Sequence, residues 1–294
     1  MAIGSTSTAT EQALALLALL LILSCTNDGQ AEDGSLGPSI IGIDHMPTAV
    51  KSLDEATAAY RKLGFALKPG RLHEGGIRNS HVKFEDGSGI ELISPPGTPA
   101  DDLSTHYIEF LKLGDGPAYI GLHSRNIEAL KRALQSAGFK YNDDSGVLDE
   151  PLLDFLFLVQ DNRSPTDRPE HFAHANSSFG LTGVWLALDD ARREHLERLL
   201  TVLGAMKSKT NILAPGSIDA EVFAVQNGRV VVLPKRFQIQ NGRPIVGAEF
   251  RVRDVAKTAC GRLTDETSPA ASGSPRRCLV TPSEAHGLWL EFHE

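Results

Sequence analysis

The chain has no run of basic residues. Arg276-Arg277 is only a pair, and 37 acidic against 29 basic side chains leave a formal net charge of −8. A phosphate-binding surface needs clustered Lys and Arg, so nucleic acid is excluded as a partner. Cysteine is scarce as well. Cys25, Cys260 and Cys278 are too few for a disulfide scaffold or a four-thiolate zinc site. Long hydrophobic runs are missing too: the longest, Ala13 to Leu23, has 11 residues, half of the ~20 that a membrane-spanning helix needs. There is no phosphate loop, nucleophile elbow, CxxC pair or dinucleotide fingerprint. What remains is a 41% hydrophobic chain of 294 residues, too apolar for disorder and long enough for one large domain or two ordinary ones.

Residues 13–25 read ALALLALLLILSC, a short apolar core ending in a small residue and Cys25. Such a stretch near the start reads as a signal peptide, here residues 1–25, rather than an element of the fold. Ile22-Leu23-Ser24-Cys25 resembles a bacterial lipobox, in which the cysteine is lipidated. The segment before it departs from an export signal by carrying Glu11 and no Lys or Arg. Residues 26–38 are Gly/Asp-rich without periodicity and read as a flexible tether. The expectation is an exported, soluble mature chain, lipoprotein or periplasmic/extracellular. It would touch a membrane only through an anchor at Cys25.

Residues 39–294 repeat one pattern. A strand-like run at Ile40–Met46 precedes a helix whose apolar stripe is Leu53, Ala56, Tyr60 and Leu63, stopped at Gly64. Extended segments follow at Phe65–Leu67, Ser80–Phe84 and Gly89–Ile93, the last two joined by the turn Asp86-Gly87. This is a βαβββ unit. The order returns at Tyr119–His123 with a helix stripe of Ile127, Leu130, Leu134 and Ala137. Gly138-Phe139 there repeats Gly64-Phe65. A third unit opens at Gly183–Leu188 and a fourth at Val246–Val252, the fourth with a helix from Asp254. The fold class is therefore α+β: four tandem βαβββ units in two modules, residues 39–178 and 179–294.

Cys260 and Cys278 fall together in unit four, separated by 17 residues. A bridge would stabilise by ~3 kcal/mol through chain entropy. Equally, Cys260 shares a stripe with Ala256 and Leu263, where a free buried thiol is ordinary.

The tandem plan, with Ile43-Asp44-His45 on the first strand and Gly89-Ile90-Glu91-Leu92-Ile93 on the fourth, resembles the vicinal oxygen chelate superfamily. That superfamily includes glyoxalase I, bleomycin-resistance proteins and extradiol dioxygenases. The stretch Pro69–Asn79 is similar to the glycine-rich segment of its glyoxalase-like branch. His174-Ala175-Asn176 resembles that branch's "HPN" segment, and Gly287–Phe292 its usual ending.

The resemblance implies a cup closed by paired units, with metal ligands on first and fourth strands. His45 and Glu91 hold those positions in unit one. Imidazole and carboxylate suit a divalent ion, and zinc, iron, manganese and nickel are not distinguished. A third ligand is not visible by position: Tyr119 aligns with His45 in unit two, and Gly247 or Ala248 in unit four. His174 is the favoured substitute, ahead of His123, His81 and His171, while His106, His195, His286 and His293 read as surface residues. Arg71, His73, Arg78, Asn79 and Asn176 are candidate substrate contacts, the first four in a glycine-rich loop that also reads as a wide hairpin. Glu91 and Glu291 are the candidate proton-transfer groups.

Two functions follow from the resemblance. One is a divalent-metal-dependent lyase, isomerase or ring-opening enzyme on a small oxygen-rich substrate, dioxygenase chemistry being disfavoured by the missing second histidine. The other is a metal-free small-molecule-binding protein of the bleomycin-resistance type. Either way the partner is a small molecule.

Overall fold

The computed structural model describes residues 40–73, 75–141, 148–160, 163–212, 218–260 and 277–294. The leader, the tether and Cys25 lie outside them. Among the described residues no helix is long and apolar enough to cross a membrane.

The first strand-like run is split. Strand β1 is Ile40–Ile43 and β2 is His45–Ala49, with Asp44 between them. The break lets one segment serve two sheets. Helix α1, Leu53–Lys62, is capped by the Ser52 hydroxyl, with Asp54 and Glu55 in its first turn and Arg61 and Lys62 in its last, in line with the helix dipole. Strands β3 (Lys68–Leu72), β4 (Arg78–Lys83) and β5 (Gly89–Ser94) follow. β3 starts three residues later than expected. Phe65 is instead buried among aromatic rings, and the Ala66 amide donates to His174 Nδ1 at 3.0 Å, so this segment is not free to pair. The loop of residues 69–79 becomes the hairpin between β3 and β4.

Helix α2, Asp102–Phe110, was not expected between units one and two. It carries a capping box of Asp101 and Ser104 and an apolar i, i+4 pair, Leu103 and Tyr107. After the short β6 (Gly116–Pro117), β7 (Ile120–Ser124), α3 (Ile127–Ser136) and β8 (Leu156–Val159) supply a first strand, helix and fourth strand of unit two. Unit three is complete: β9 (Ser178–Leu188), α4 (Asp190–Val202), β10 (Met206–Ile212), β11 (Ile218–Val225) and β12 (Gly228–Pro234). Unit four keeps β13 (Ile245–Val252), β14 (Arg277–Val280) and β15 (Trp289–His293). Where a helix was expected from Asp254, the described residues form only a three-residue 3-10 turn, Val255–Lys257. Cys260 and Cys278 are disulfide-bonded, which ties this segment to β14.

The sheet orders are β3-β4-β5-β2-β6, β1-β7-β8 and β10-β11-β12-β9-β13-β15-β14. In each unit the first strand lies parallel and adjacent to the fourth: β2 beside β5, β7 beside β8, β9 beside β12 and β13 beside β15. Complete βαβββ units are thus present at units one and three, in a mixed α+β fold.

Alternation sorts the side chains. Ile90 and Leu92 of β5 enter one core shared by both halves of the chain, where Phe65 meets Phe250 at 5.2 Å and Phe292 at 5.9 Å between ring centroids. Glu91 and Ile93 turn to the opposite, inner face. That face has its own smaller cluster of Ile93, Leu103, Tyr107, Tyr119 and Phe157, with α2 laid across it. With the five-stranded sheet as the first and the seven-stranded sheet as the second, the second has a separate inner cluster around Trp185, Val231 and Val246.

Candidate functional site

β2 and β5 are in register, with His45 opposite Gly89 and Pro47 opposite Glu91. His45 and Glu91 therefore share the inner face, one residue pair apart. Their facing atoms, His45 Nε2 and Glu91 Oε2, stand 3.6 Å apart, and both residues are buried. The other imidazole nitrogen, Nδ1, lies 2.5 Å from Asp44 Oδ1. A carboxylate there holds the proton on Nδ1 and turns the Nε2 lone pair toward Glu91. Nε2 is buried and has no hydrogen-bond partner. Glu91 Oε1 accepts from Asn79 Nδ2 at 2.7 Å, and Asn79 Oδ1 accepts from the Arg71 amide at 2.9 Å. Burial alone would raise the Glu91 carboxyl. The neighbouring His81 and His45, the Asn79 hydrogen bond and His73 together bring it below its ordinary value.

His81 lies opposite Glu91 on β4, on the same face. Burial pushes its ring down to about 4, against the upward pull of Glu91, so it is neutral at pH 7. His73 reaches the rim beside Asn79 and Arg71. Arg78 is exposed, and alternation with Asn79 turns it to the other face.

Three expected residues lie elsewhere. His174 Nδ1 accepts from the Ala66 amide and Nε2 donates to the Lys83 carbonyl at 2.9 Å, while its ring packs on Phe84 in the shared core. With both nitrogens committed to backbone, His174 is a structural histidine and does not join His45 and Glu91. Asn176 donates to the Leu63 carbonyl and accepts from the Ser178 amide, tying the end of α1 to β9 rather than contacting a ligand. Glu291 also belongs to a different place, the inner face of the second sheet, in register with Glu249.

Unit two explains the missing third ligand. Its first-strand position on this face is Gly121, in register with Phe157 of β8. A Cβ on Gly121 would stand 2.8 Å from the Phe157 ring, which stacks edge-on against His45 at 5.2 Å. The ring occupies the space a ligating side chain would need. Tyr119 aligns with His45 in sequence but pairs its hydroxyl with His106 Nε2. Tyr107 of α2 is fully buried among these rings and its hydroxyl has no partner. Burial, the Tyr119 hydroxyl and the Glu91 charge all push its pKa well up. Among the described residues no group of three His, Cys, Asp or Glu side chains converges to hold a metal. His45 Nε2 and Glu91 Oε2 are the two donor atoms on this face that a divalent ion would find facing each other, so any further coordination would have to come from small-molecule oxygens.

The second sheet is filled by its own side chains. Trp185 lies over Gly247, where a Cβ would stand 2.5 Å from the indole, and its Nε1 donates to Glu249 Oε1 at 2.7 Å. Arg229 grips the same carboxylate through Nε and Nη2, at 2.6 and 2.9 Å. Glu291 is fully buried and neither oxygen has a hydrogen-bond partner, although Oε1 lies within ion-pair range of Arg277 Nη1 at 3.5 Å. Burial, reinforced by Glu249 and opposed by Arg277 and Arg229, lifts it to about 7.

Sequence reasoning missed Tyr107, Phe157 and Asp44 as parts of this site. Only Asp44 left a local signal, as the carboxylate preceding His45. The others required knowing that α2 and β8 lie against β2.

Comparison with known proteins agrees with this fold. Residues 43–203 match the sequence profile of a glyoxalase-like domain. No curated protein sequence matches. A 4-hydroxymandelate synthase mutant from Streptomyces coelicolor superposes with a TM-score of 0.59 at 11% identity, covering 87% of this chain and 93% of that one. The Mn(II)-bound glyoxalase from Novosphingobium aromaticivorans gives 0.54 at 14% identity, covering 87% and 82%. A xylose isomerase-like TIM barrel/4-hydroxyphenylpyruvate dioxygenase fusion protein gives 0.58 at 11% identity. There the match takes in 99% of this chain but spans only 57% of the fusion protein. The chain belongs to the glyoxalase-like domain family of the vicinal oxygen chelate superfamily.

Proposed function

We propose that the inner face of the first sheet is the site of a divalent-metal-assisted lyase, isomerase or ring-opening reaction on a small molecule with neighbouring oxygens. The observation that carries this reading is the His45 Nε2 atom: buried, unpartnered, oriented by Asp44 and facing Glu91 Oε2 at 3.6 Å. His45 and Glu91 would hold the ion, which when bound polarises substrate oxygens and acidifies what is attached to them. The chain's own residues do the rest. Asn79 fixes one Glu91 oxygen and leaves the other to the ion or to a proton. Phe157, Ile93 and Tyr107 exclude water from one side, so that interactions there are stronger than in bulk solvent. Glu291, on the other sheet, is not assigned to this reaction.

The decisive experiment is titration of Mn(II), Zn(II), Ni(II) and Fe(II) into chelator-stripped protein purified without a His-tag. One ion per chain, lost in His45→Ala and in Glu91→Gln, is the expected outcome. No binding by any of them would overturn the metalloenzyme reading.

The Phe157 ring over Gly121 favours a second reading, a metal-free protein that sequesters a small molecule on the same face. It predicts ligand binding that survives chelation. Export through residues 1–25, with lipidation at Cys25, belongs to the proposal as well. Cys25→Ser should release the protein from membranes.

A further inference from the structure

β4 carries Asn79, His81 and Lys83 on one face, because alternate residues of a strand point the same way. Asn79 bonds Glu91, so Lys83 shares the inner face. Lys68 of β3 is in register with His81, and opposite residues of an antiparallel pair share a face as well. The inner face thus holds two lysines beside the His45–Glu91 pair. Both are buried, 8% exposed for Lys68 and 3% for Lys83, where lysines are rare. Both ammonium groups converge on a single carboxylate: Lys68 Nζ lies 2.5 Å from Asp167 Oδ1 and Lys83 Nζ 2.9 Å from Oδ2.

Asp167 comes from the segment 163–171, which contributes no strand to the sheet. Its contacts within the segment are to Ser164: the Asp167 amide donates to the Ser164 carbonyl, and Asp167 Oδ2 accepts from the Ser164 amide at 2.8 Å. The carboxylate is nonetheless held below its ordinary pKa: burial would raise it, and the two lysines with the Ser164 amide more than offset that. Between Lys83 and His45 the intervening residue is Gly89, in register with both and without a side chain. Two strand spacings, roughly 10 Å, separate their backbones, a span a small molecule can bridge with an acid group at one end and an oxygen pair at the other.

We propose that Lys68 and Lys83 form the acid-group subsite of this face, that its ligand is a small carboxylate, and that Asp167 occupies the subsite until the ligand's carboxylate replaces it. This rests on the reading of the inner face as the functional site, but not on metal binding. A substrate carboxylate reproduces both ammonium contacts that Asp167 makes, and two charge-assisted hydrogen bonds orient it. The oxygen-bearing end then points toward His45, Glu91 and the unpartnered Tyr107 hydroxyl.

The test uses trifluoroacetate, a carboxylate with no second oxygen function for chelating an ion across the site, followed by fluorine NMR in the presence of EDTA. Trifluoroacetamide is the uncharged control. Asp167→Asn removes the internal competitor and should tighten trifluoroacetate binding at least about tenfold, the amide staying unbound. Lys68→Met/Asp167→Asn and Lys83→Met/Asp167→Asn should lose that binding while keeping the wild-type near-UV circular dichroism. His45→Ala/Asp167→Asn should keep it, so failure of this proposal and failure of the metal reading are separate results. In the wild-type protein, the Asp167 carboxyl-carbon resonance should shift with trifluoroacetate and not with the amide, a readout that needs no variant. Unchanged affinity in Asp167→Asn, retained binding in either lysine variant, or an unmoved Asp167 resonance would each overturn the proposal and make the cluster a structural clamp.

Discussion

His45 Nε2 and Glu91 Oε2 face each other at 3.6 Å, beyond hydrogen-bond reach, while Asp44 holds the opposite imidazole nitrogen at 2.5 Å. A histidine paired with Glu91 alone would have closed that gap. The Asp44 bond fixes the ring so that a lone pair meets a carboxylate oxygen, an arrangement suited to a cation shared between them.

His45→Ala is therefore expected to abolish divalent-ion binding. The stability cost should be about 2–4 kcal/mol, because the buried Asp44 carboxylate loses its imidazole partner and the edge contact with Phe157 goes too. Asp44→Asn keeps the size of the side chain and removes its charge, and should weaken metal affinity about 10–100-fold. Isothermal titration with urea unfolding on the same samples separates the two effects. That stability loss with unchanged ion binding would make His45 a structural residue.

Tyr107→Phe removes a hydroxyl that is buried without a partner. Since no protein hydrogen bond is lost, the variant should be as stable as wild type or more so, by up to ~1 kcal/mol. If the hydroxyl serves a ligand, kcat or ligand affinity should fall despite that gain. Thermal melts and ligand titration on the same variant give both readings.

Glu291 supplies a pH dependence whose sign is set. Its folded pKa, about 7, lies above the ordinary 4.5. Between those values the folded state keeps a proton that the unfolded chain has released, so stability falls as pH rises through the window. The full penalty, ~3 kcal/mol as an order of magnitude, is reached above pH 7. Glu291→Gln should remove the slope, making the variant the more stable protein at pH 8 but not at pH 4.5. Urea midpoints at the two pH values test this, and parallel profiles for the two proteins would exclude Glu291 as the titrating group.

The Cys260–Cys278 bridge spans a sequence separation of 18 and anchors β14 at the edge of the second sheet. Reduction should cost ~3 kcal/mol by loop entropy. Amide exchange should quicken first at residues 277–280, with β2 and β5 unaffected. Denaturant curves with and without dithiothreitol, paired with hydrogen exchange, report both.

Much of this molecule is local. The 3.6-residue stripe of Leu53, Ala56 and Tyr60 defines α1, and the two-residue period through Ile90, Glu91 and Leu92 places one acid on the inner face of β5. Because first and fourth strands of a βαβββ unit are neighbours, the meeting of His45 and Glu91 could be read before any coordinates. Such inferences hold where a repeating period is enforced by burial of one face.

The remaining decisions were made by contacts across long stretches of chain, which no local period encodes. Phe157 lies over Gly121 because β8 pairs with β7, and this denies unit two a ligand. His174 is held by the Ala66 amide and the Lys83 carbonyl, 108 and 91 residues away in sequence, so a histidine in a family-like segment became part of the core. Asp167 meets lysines 99 and 84 residues distant. The sequence by itself determined which residues share a strand face, since backbone geometry alternates side chains whatever surrounds them. Only the tertiary structure decided which groups share a site, because burial requires each polar atom to find its partner wherever the packed chain provides one.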